Sequence, residues 1–171
     1  MKKYSLVILG VASFFLLASC KLFEDSYRPR IISAYPSPSE SGLQWDAHKV
    51  KVRADIISAD VECIPVRKVN ETKGLFEEKI RAEYEIIATA HISYEIIDKG
   101  FFKKGTDFSS LEANVIFEAF TGSGVRLALA RGPVRFVEEA NSATTSVKIS
   151  GLSVGETNRV IGVQARWDYG T

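Results

Sequence analysis

The chain has two cysteines and two histidines in 171 residues, and each shortage closes a class of function. A disulfide scaffold needs several paired cysteines, and a zinc centre needs three or four converging ligands. No HExxH, paired CxxC, GxSxG or P-loop spacing occurs, so the familiar catalytic signatures are missing. Charge of one sign is also lacking: 22 basic residues stand against 21 acidic ones. That balance argues against nucleic acid as a general partner. The apolar stretch Leu6 to Leu17, interrupted only by Gly10 and Ser13, is shorter than the roughly 18–20 residues a helix needs to cross the hydrocarbon core. A permanent transmembrane helix is not expected.

What is present begins at the N-terminus. Lys2 and Lys3 form a positive head, the apolar stretch follows, and the small residues Ala18 and Ser19 precede Cys20, which together read as an export signal. The run Leu17-Ala18-Ser19-Cys20 resembles the lipobox of bacterial lipoproteins. The resemblance implies diacylglycerol on the Cys20 sulfur, removal of residues 1–19, and acylation of the new amino terminus. Each buried methylene is worth about 0.8 kcal/mol, and one chain binds only marginally whereas two or three hold firmly. The covalent lipid on Cys20 is the only added group expected, and the membrane is the first partner. Lys21 stands where aspartate resembles an inner-membrane retention signal, so the expected address is the outer membrane, with its periplasmic or surface face left open.

Without residues 1–19 the chain has 152 residues with 20 basic and 21 acidic side chains, enough for one domain with its own core. Residues 20–29 mix charge with Tyr27 and Pro29 and read as a tether. If Cys20 carries lipid, Cys63 has no cysteine left to pair with. In the apolar setting VECIPV it reads as a small buried hydrophobe, with no neighbouring base to activate it.

From residue 30 onward apolar runs alternate with turn clusters: PSPSESG, NETKG, DKG, TGSG, RGP and SVGE. Period two is clear in KVKVRADI, where Val50, Val52, Ala54 and Ile56 face one way, and again in VIGVQARWDY. Further strands are expected at Arg30 to Tyr35, Val61 to Val66, Asn114 to Phe120, Val125 to Ala130, Val134 to Glu138 and Thr144 to Ile149. Lys79 to Ile97 has apolar residues at every even position from Ile80 to Ile96. As one strand it would extend roughly 60 Å at about 3.3 Å per residue, so it must bend, bulge or project. A helix competes for its first half, where Glu77 and Arg81 have i,i+4 spacing. So many short strands make an all-β, antiparallel sandwich the economical fold, with a closed barrel as the alternative.

PRIISAYPSPSESG before KVKVRADI resembles the opening of bacterial Ig-like domains. The closing SVKISGLSVGETNRVIGVQARWDYG resembles the penultimate hairpin of fibronectin type III modules. These resemblances imply an Ig-like β-sandwich over residues 30–171 and carry over no functional residue. At the place of the tyrosine that tethers the corresponding turn, this chain has Asn158.

Candidate chemistry is sparse. Asp46, His48 and His91 could chelate a metal if the fold joined them, but as residues flanking strands they read as surface, and His91 falls on the polar parity of its strand. Glu83, Glu85 and Glu95 share a face with Lys79 and Arg81, the pattern of a solvated surface. TGSG at residues 121–124 reads as a hairpin turn. GFFKKG presents Phe101, Phe102, Lys103 and Lys104 as a possible partner or membrane contact, against the alternative that the rings seal the core. Lys49, Lys51, Arg53, Arg67 and Lys68 form either a basic patch or an ordinary polar face. The function expected is a non-catalytic, lipid-anchored binding, adhesion or accessory-subunit role at the envelope, with a protein or glycan as partner. The alternative is an envelope hydrolase or metal-dependent enzyme whose site forms only in three dimensions.

Overall fold

The computed structural model describes residues 28–47, 50–73, 77–98 and 112–169. The lipobox with Cys20, the loop bearing Phe101, Phe102, Lys103 and Lys104, and His48 all lie outside these residues. Eight strands are described: β1 (Ser33–Pro36), β2 (Gly42–Ala47), β3 (Val50–Lys73), β4 (Glu77–Asp98), β5 (Glu112–Thr121), β6 (Arg126–Arg135), β7 (Ser142–Ile149) and β8 (Val160–Trp167), with one helical turn, α1 (Val154–Thr157), before β8. They form two four-stranded sheets, ordered β1-β8-β5-β6 and β2-β3-β4-β7. The two pack face to face as a β-sandwich, as the alternating pattern predicts.

Alternation explains the core. On β4 the even positions Ala82, Tyr84, Ile86, Ala88, Ala90, Ile92 and Tyr94 are buried, and Val50, Val52, Ala54 and Ile56 of β3 lie beside them. The opposing sheet contributes Val115, Phe117, Ala119, Val163, Ala165 and Trp167. Sheets packed about 10 Å apart leave room for large rings only opposite small residues, which suits the alanines of β4. Polar tips of the buried aromatics find partners: Trp167 Nε1 donates to the Ser41 carbonyl at 2.7 Å, and Tyr94 Oη both donates to the Val137 carbonyl and accepts from its N–H at 2.9 Å. Phe136 meets the Tyr94 ring edge-on, with centroids 5.0 Å apart.

The long alternating segment is one 22-residue strand, and its neighbour β3 has 24 residues. Two of the three expected ways of accommodating such length are used together. Register shifts at Ile56/Ser58 and Pro65/Arg67 bulge β3, increasing its local twist. Pairing with β2 covers only residues 50–55 of β3, and pairing with β7 only residues 86–93 of β4. From Ile64↔Glu85 to Lys73↔Glu77 the two strands continue as a ribbon paired to each other, about 30 Å long at ~3.3 Å per residue. Val61 to Val66 is thus the middle of β3 rather than a strand of its own, and Asn70 to Lys73, expected in a turn, are still in ladder.

One other expectation is corrected and two are refined. The RGP cluster does not separate two strands, because β6 runs unbroken through Arg131, Gly132 and Pro133. Pro133 is tolerated since β6 is the edge of its sheet, where a missing N–H costs no ladder bond. Gly132 is needed because a Cβ there would lie 2.5 Å from Thr145 Oγ1 and 3.0 Å from Val147 Cγ1, so β6 and β7 approach too closely for a side chain. Second, SVGE is a helical turn and not a simple loop. Ser153 Oγ accepts from the Glu156 N–H while Glu156 Oε2 accepts from the Ser153 N–H at 2.8 Å, the reciprocal capping box that the spacing S-x-x-E signals.

Third, the sandwich is not wholly antiparallel. β1 is four residues long and runs parallel to β8, from Ser33↔Gly162 to Pro36↔Ala165. β4 pairs with β7 in one sheet and β5 with β8 in the other, and β1 occupies the β8 edge. Arg30 seals the entry to this edge: its N–H donates to the Cys63 carbonyl at 3.0 Å, and its guanidinium donates to the carbonyls of Thr157 at 2.8 Å and Val160 at 3.0 Å. Asn158 supplies the tether that the missing tyrosine would have made. Its amide donates to the carbonyls of Ala82 on β4 and Val154, both at 2.8 Å.

Candidate functional site

The outer face of the first sheet carries a cleft of about 420 Å³ lined by Ser33 and Tyr35 of β1, Phe120 and Thr121 of β5, Gly122 and Gly124 of the following turn, and Ile161, Gly162 and Gln164 of β8. That volume lies within the range of about 300–1,000 Å³ usual for small-molecule sites. Local sequence creates the space. The TGSG segment closes the β5–β6 hairpin as expected, with Thr121 accepting the Gly124 N–H at 2.9 Å and donating its own N–H to the Val125 carbonyl at 3.0 Å. Gly124 holds φ at +78°, a conformation costly for any residue with a Cβ. Gly162 leaves the floor of the cleft open, since a Cβ there would stand 3.4 Å from the Ser33 carbonyl oxygen and 3.7 Å from the Tyr35 ring.

The lining is uncharged. Tyr35 and Ile161 are exposed and offer apolar surface, while the Ser33 and Tyr35 hydroxyls and the Gln164 amide make no hydrogen bond within the described residues. No carboxylate, imidazole, thiol or amine is among the lining residues. The cleft can therefore grip a ligand by contact and hydrogen bonding, and it contains no group suited to general acid–base work near neutral pH.

Charge is gathered beside the cleft and spent there. Glu118, the β5 register partner of Gln164, has a buried side chain that accepts from Arg126 at 2.7 Å and from Arg166 at 3.3 Å. Arg166 also approaches Glu40 at 3.4 Å, and Arg131 pairs with Asp168 at 2.8 Å. Burial pushes the Glu118 carboxyl up, but hydrogen bonds and charge from Arg166 and Arg126 outweigh it and hold the group below its ordinary range.

The remaining sequence candidates lie on the outer face of the second sheet or within the core. His91 is on that exposed face, as its parity predicts, with Nε2 2.9 Å from Asp60 Oδ2 and Nδ1 3.5 Å from Thr144 Oγ1. Register alone makes this cluster: Asp60 and His91 sit diagonally across the β3–β4 ladder, and Thr144 is the β7 partner of His91. Among the described residues no three His, Cys, Asp or Glu side chains converge as a metal site would require. Glu83 pairs with Arg67 and Glu85 with Lys148, and Lys51 and Arg53 stand opposite Asp98 and Glu95, so Lys51, Arg53 and Arg67 are interleaved with carboxylates; Lys49 and the side chain of Lys68 lie outside the described residues. Cys63 is free and buried. Burial pushes its thiol up, against the opposing influence of Arg30, which keeps it protonated and unreactive.

Sequence reading missed the cleft, although two of its signals were visible: the glycines of TGSG and the single Gly162 within the alternating strand VIGVQARWDY. An isolated glycine in a strand marks close backbone approach or space for something else. No family model, no curated protein and no solved structure matches this chain.

Proposed function

We propose that this protein is a lipid-anchored component of the bacterial cell envelope, held at the outer membrane through Cys20, whose β-sandwich binds a partner without catalysing a reaction. The observation that carries the binding role is the preformed cleft with unused hydrogen-bonding groups and no acid–base pair. Its address rests on Leu17-Ala18-Ser19-Cys20. A β-sandwich suits such a role because its sheets hold an outer face rigidly while the core does the stabilising.

The test is the intact mass of the membrane-extracted protein beside its Cys20→Ala variant. The expected mass lacks residues 1–19 and gains acyl chains, and Cys20→Ala leaves the membrane fraction. An unmodified Cys20 thiol overturns the anchor and reopens pairing with Cys63. Crosslinking in whole cells is then expected to capture a specific partner. A second reading, an envelope hydrolase, draws on the Asp60–His91–Thr144 alignment. It requires hydrolytic turnover that disappears in His91→Ala.

A further inference from the structure

We infer that the cleft between β1, β8 and the β5–β6 turn is a binding site for an uncharged sugar of an envelope or surface glycan. The inference rests on the binding-module reading and names its ligand class.

Three observations on the cleft converge. First, the lining bears no charge, and the nearest ionic groups offset one another, with Glu118 and Glu40 set against Arg126 and Arg166. An anionic ligand such as a phosphate or a phospholipid headgroup would find no unspent cation in the cleft, and desolvating it there would cost more than the contact returns. The occupant must therefore be neutral.

Second, the lining is amphipathic on the scale of one ring. Tyr35, Phe120 and Ile161 provide flat or apolar surface, while Ser33, Gln164 and the Tyr35 hydroxyl provide donors and acceptors; the Thr121 hydroxyl is already engaged by Ser123 and the Val125 N–H. A pyranose has the matching division: its faces are C–H surfaces that pack on an aromatic ring, and its rim is a belt of hydroxyls. A purely apolar ligand would leave the Gln164 amide and the Ser33 and Tyr35 hydroxyls desolvated without partners, at a cost of about 1–3 kcal/mol for each group. A sugar rim satisfies them, and the amide of Gln164 can both donate and accept toward one hydroxyl pair.

Third, the space is built into the fold. Gly162 and Gly122 leave out side chains where the floor and one wall would otherwise be filled. Tyr35 is fixed by the β1–β8 ladder opposite Gln164, so its ring and the amide lie on neighbouring strands of one rigid sheet. Such preorganisation matters for sugars, because each contact is weak and little affinity is left over for ordering the site.

The experiment is saturation-transfer NMR on the full chain, extracted from membranes in a non-glycosidic detergent, with maltotriose and N-acetylated chitotriose as probes. Saturable binding of at least one sugar is expected, with the ring C–H protons receiving the strongest transfer. Tyr35→Ala and Gln164→Ala are each expected to weaken it about tenfold, the equivalent of ~1.4 kcal/mol, and Gly162→Ala to weaken it by narrowing the floor. Thr89→Ala, on the outer face of the opposite sheet, leaves it unchanged. Circular dichroism and thermal unfolding confirm that each variant is folded. Absence of saturable binding by the folded wild type, or equal binding by Tyr35→Ala, overturns the sugar site. A crosslinked protein partner whose capture does not depend on Tyr35 would meanwhile leave the broader binding reading standing, so the two ideas fail separately.

Discussion

The outer faces of the two sheets start from the same rule, every second side chain pointing away from the core, and end as different surfaces. On the second sheet four pairs of polar groups meet across adjacent strands: Thr89 with Ser146, Asp60 with His91, Glu83 with Arg67 and Glu85 with Lys148. The result is a laddered, solvated face. On the first sheet the charges are pulled together around the buried Glu118, and glycines at 122, 124 and 162 clear the ground beside them. Pairing across the ladder uses up polar groups, whereas grouping the charges around Glu118 leaves the side chains of Ser33, Tyr35 and Gln164 beside them without a hydrogen-bond partner among the described residues.

The sharpest way to break that contrast is to remove one carboxylate from each face. Glu118 has a side chain 8% exposed, while its partners Arg166 and Arg126 are 23% and 56% exposed. Glu118→Ala is expected to cost about 2–3 kcal/mol in urea denaturation, less than the ~3–5 of a fully buried pair because water reaches Arg126. An effect below 1 kcal/mol would show that the grouped charges are no more structural than the laddered ones.

Acid titration examines the same group more gently. The folded-state pKa of Glu118 is held down, so in the interval below its unfolded value of about 4.3 the unfolded chain binds the extra proton. Its contribution is therefore fully present above that value and is lost as pH falls through it toward the lower folded value. The urea midpoint should drop as pH falls below that unfolded value, and Glu118→Gln should flatten that limb. An unchanged limb in the variant would assign the acid sensitivity to other carboxylates.

The smallest effect belongs to the second sheet. Glu85→Ala removes one exposed ion pair with Lys148 and is expected to change stability by no more than ~0.5 kcal/mol, less still at high salt. A loss rivalling that of Glu118→Ala would erase the distinction between the faces.

Much of this was legible from local pattern. Period two in KVKVRADI and in the even positions of residues 80–96 placed β3, β4 and their buried sides correctly, because a residue's face on a strand follows from counting alone. The helix competing for Lys79 to Ile97 lost because ladder partners on β3 and β7 satisfy its backbone. Other features were invisible for a definite reason. Pro133 and Gly132 spell a turn when read locally, and only the edge position of β6 and its approach to β7 turn them into strand. The parallel pairing of β1 joins residues more than 120 positions apart, which no local period encodes.

The sequence by itself determined the alternating faces, the hairpin at TGSG, the burial of Cys63 and the exposure of His91, because each depends on near neighbours and on the transfer of apolar groups from water. Only the tertiary structure decided that Ser33, Tyr35, Gly162, Gln164 and the turn after β5 share one cleft, and that Glu118 would be enclosed by two arginines. Those depend on which strands become neighbours and in which register. That choice is made by the packing of the whole sandwich, and a single-residue slip along β8 would send Gly162, Gln164 and Arg166 to the opposite face.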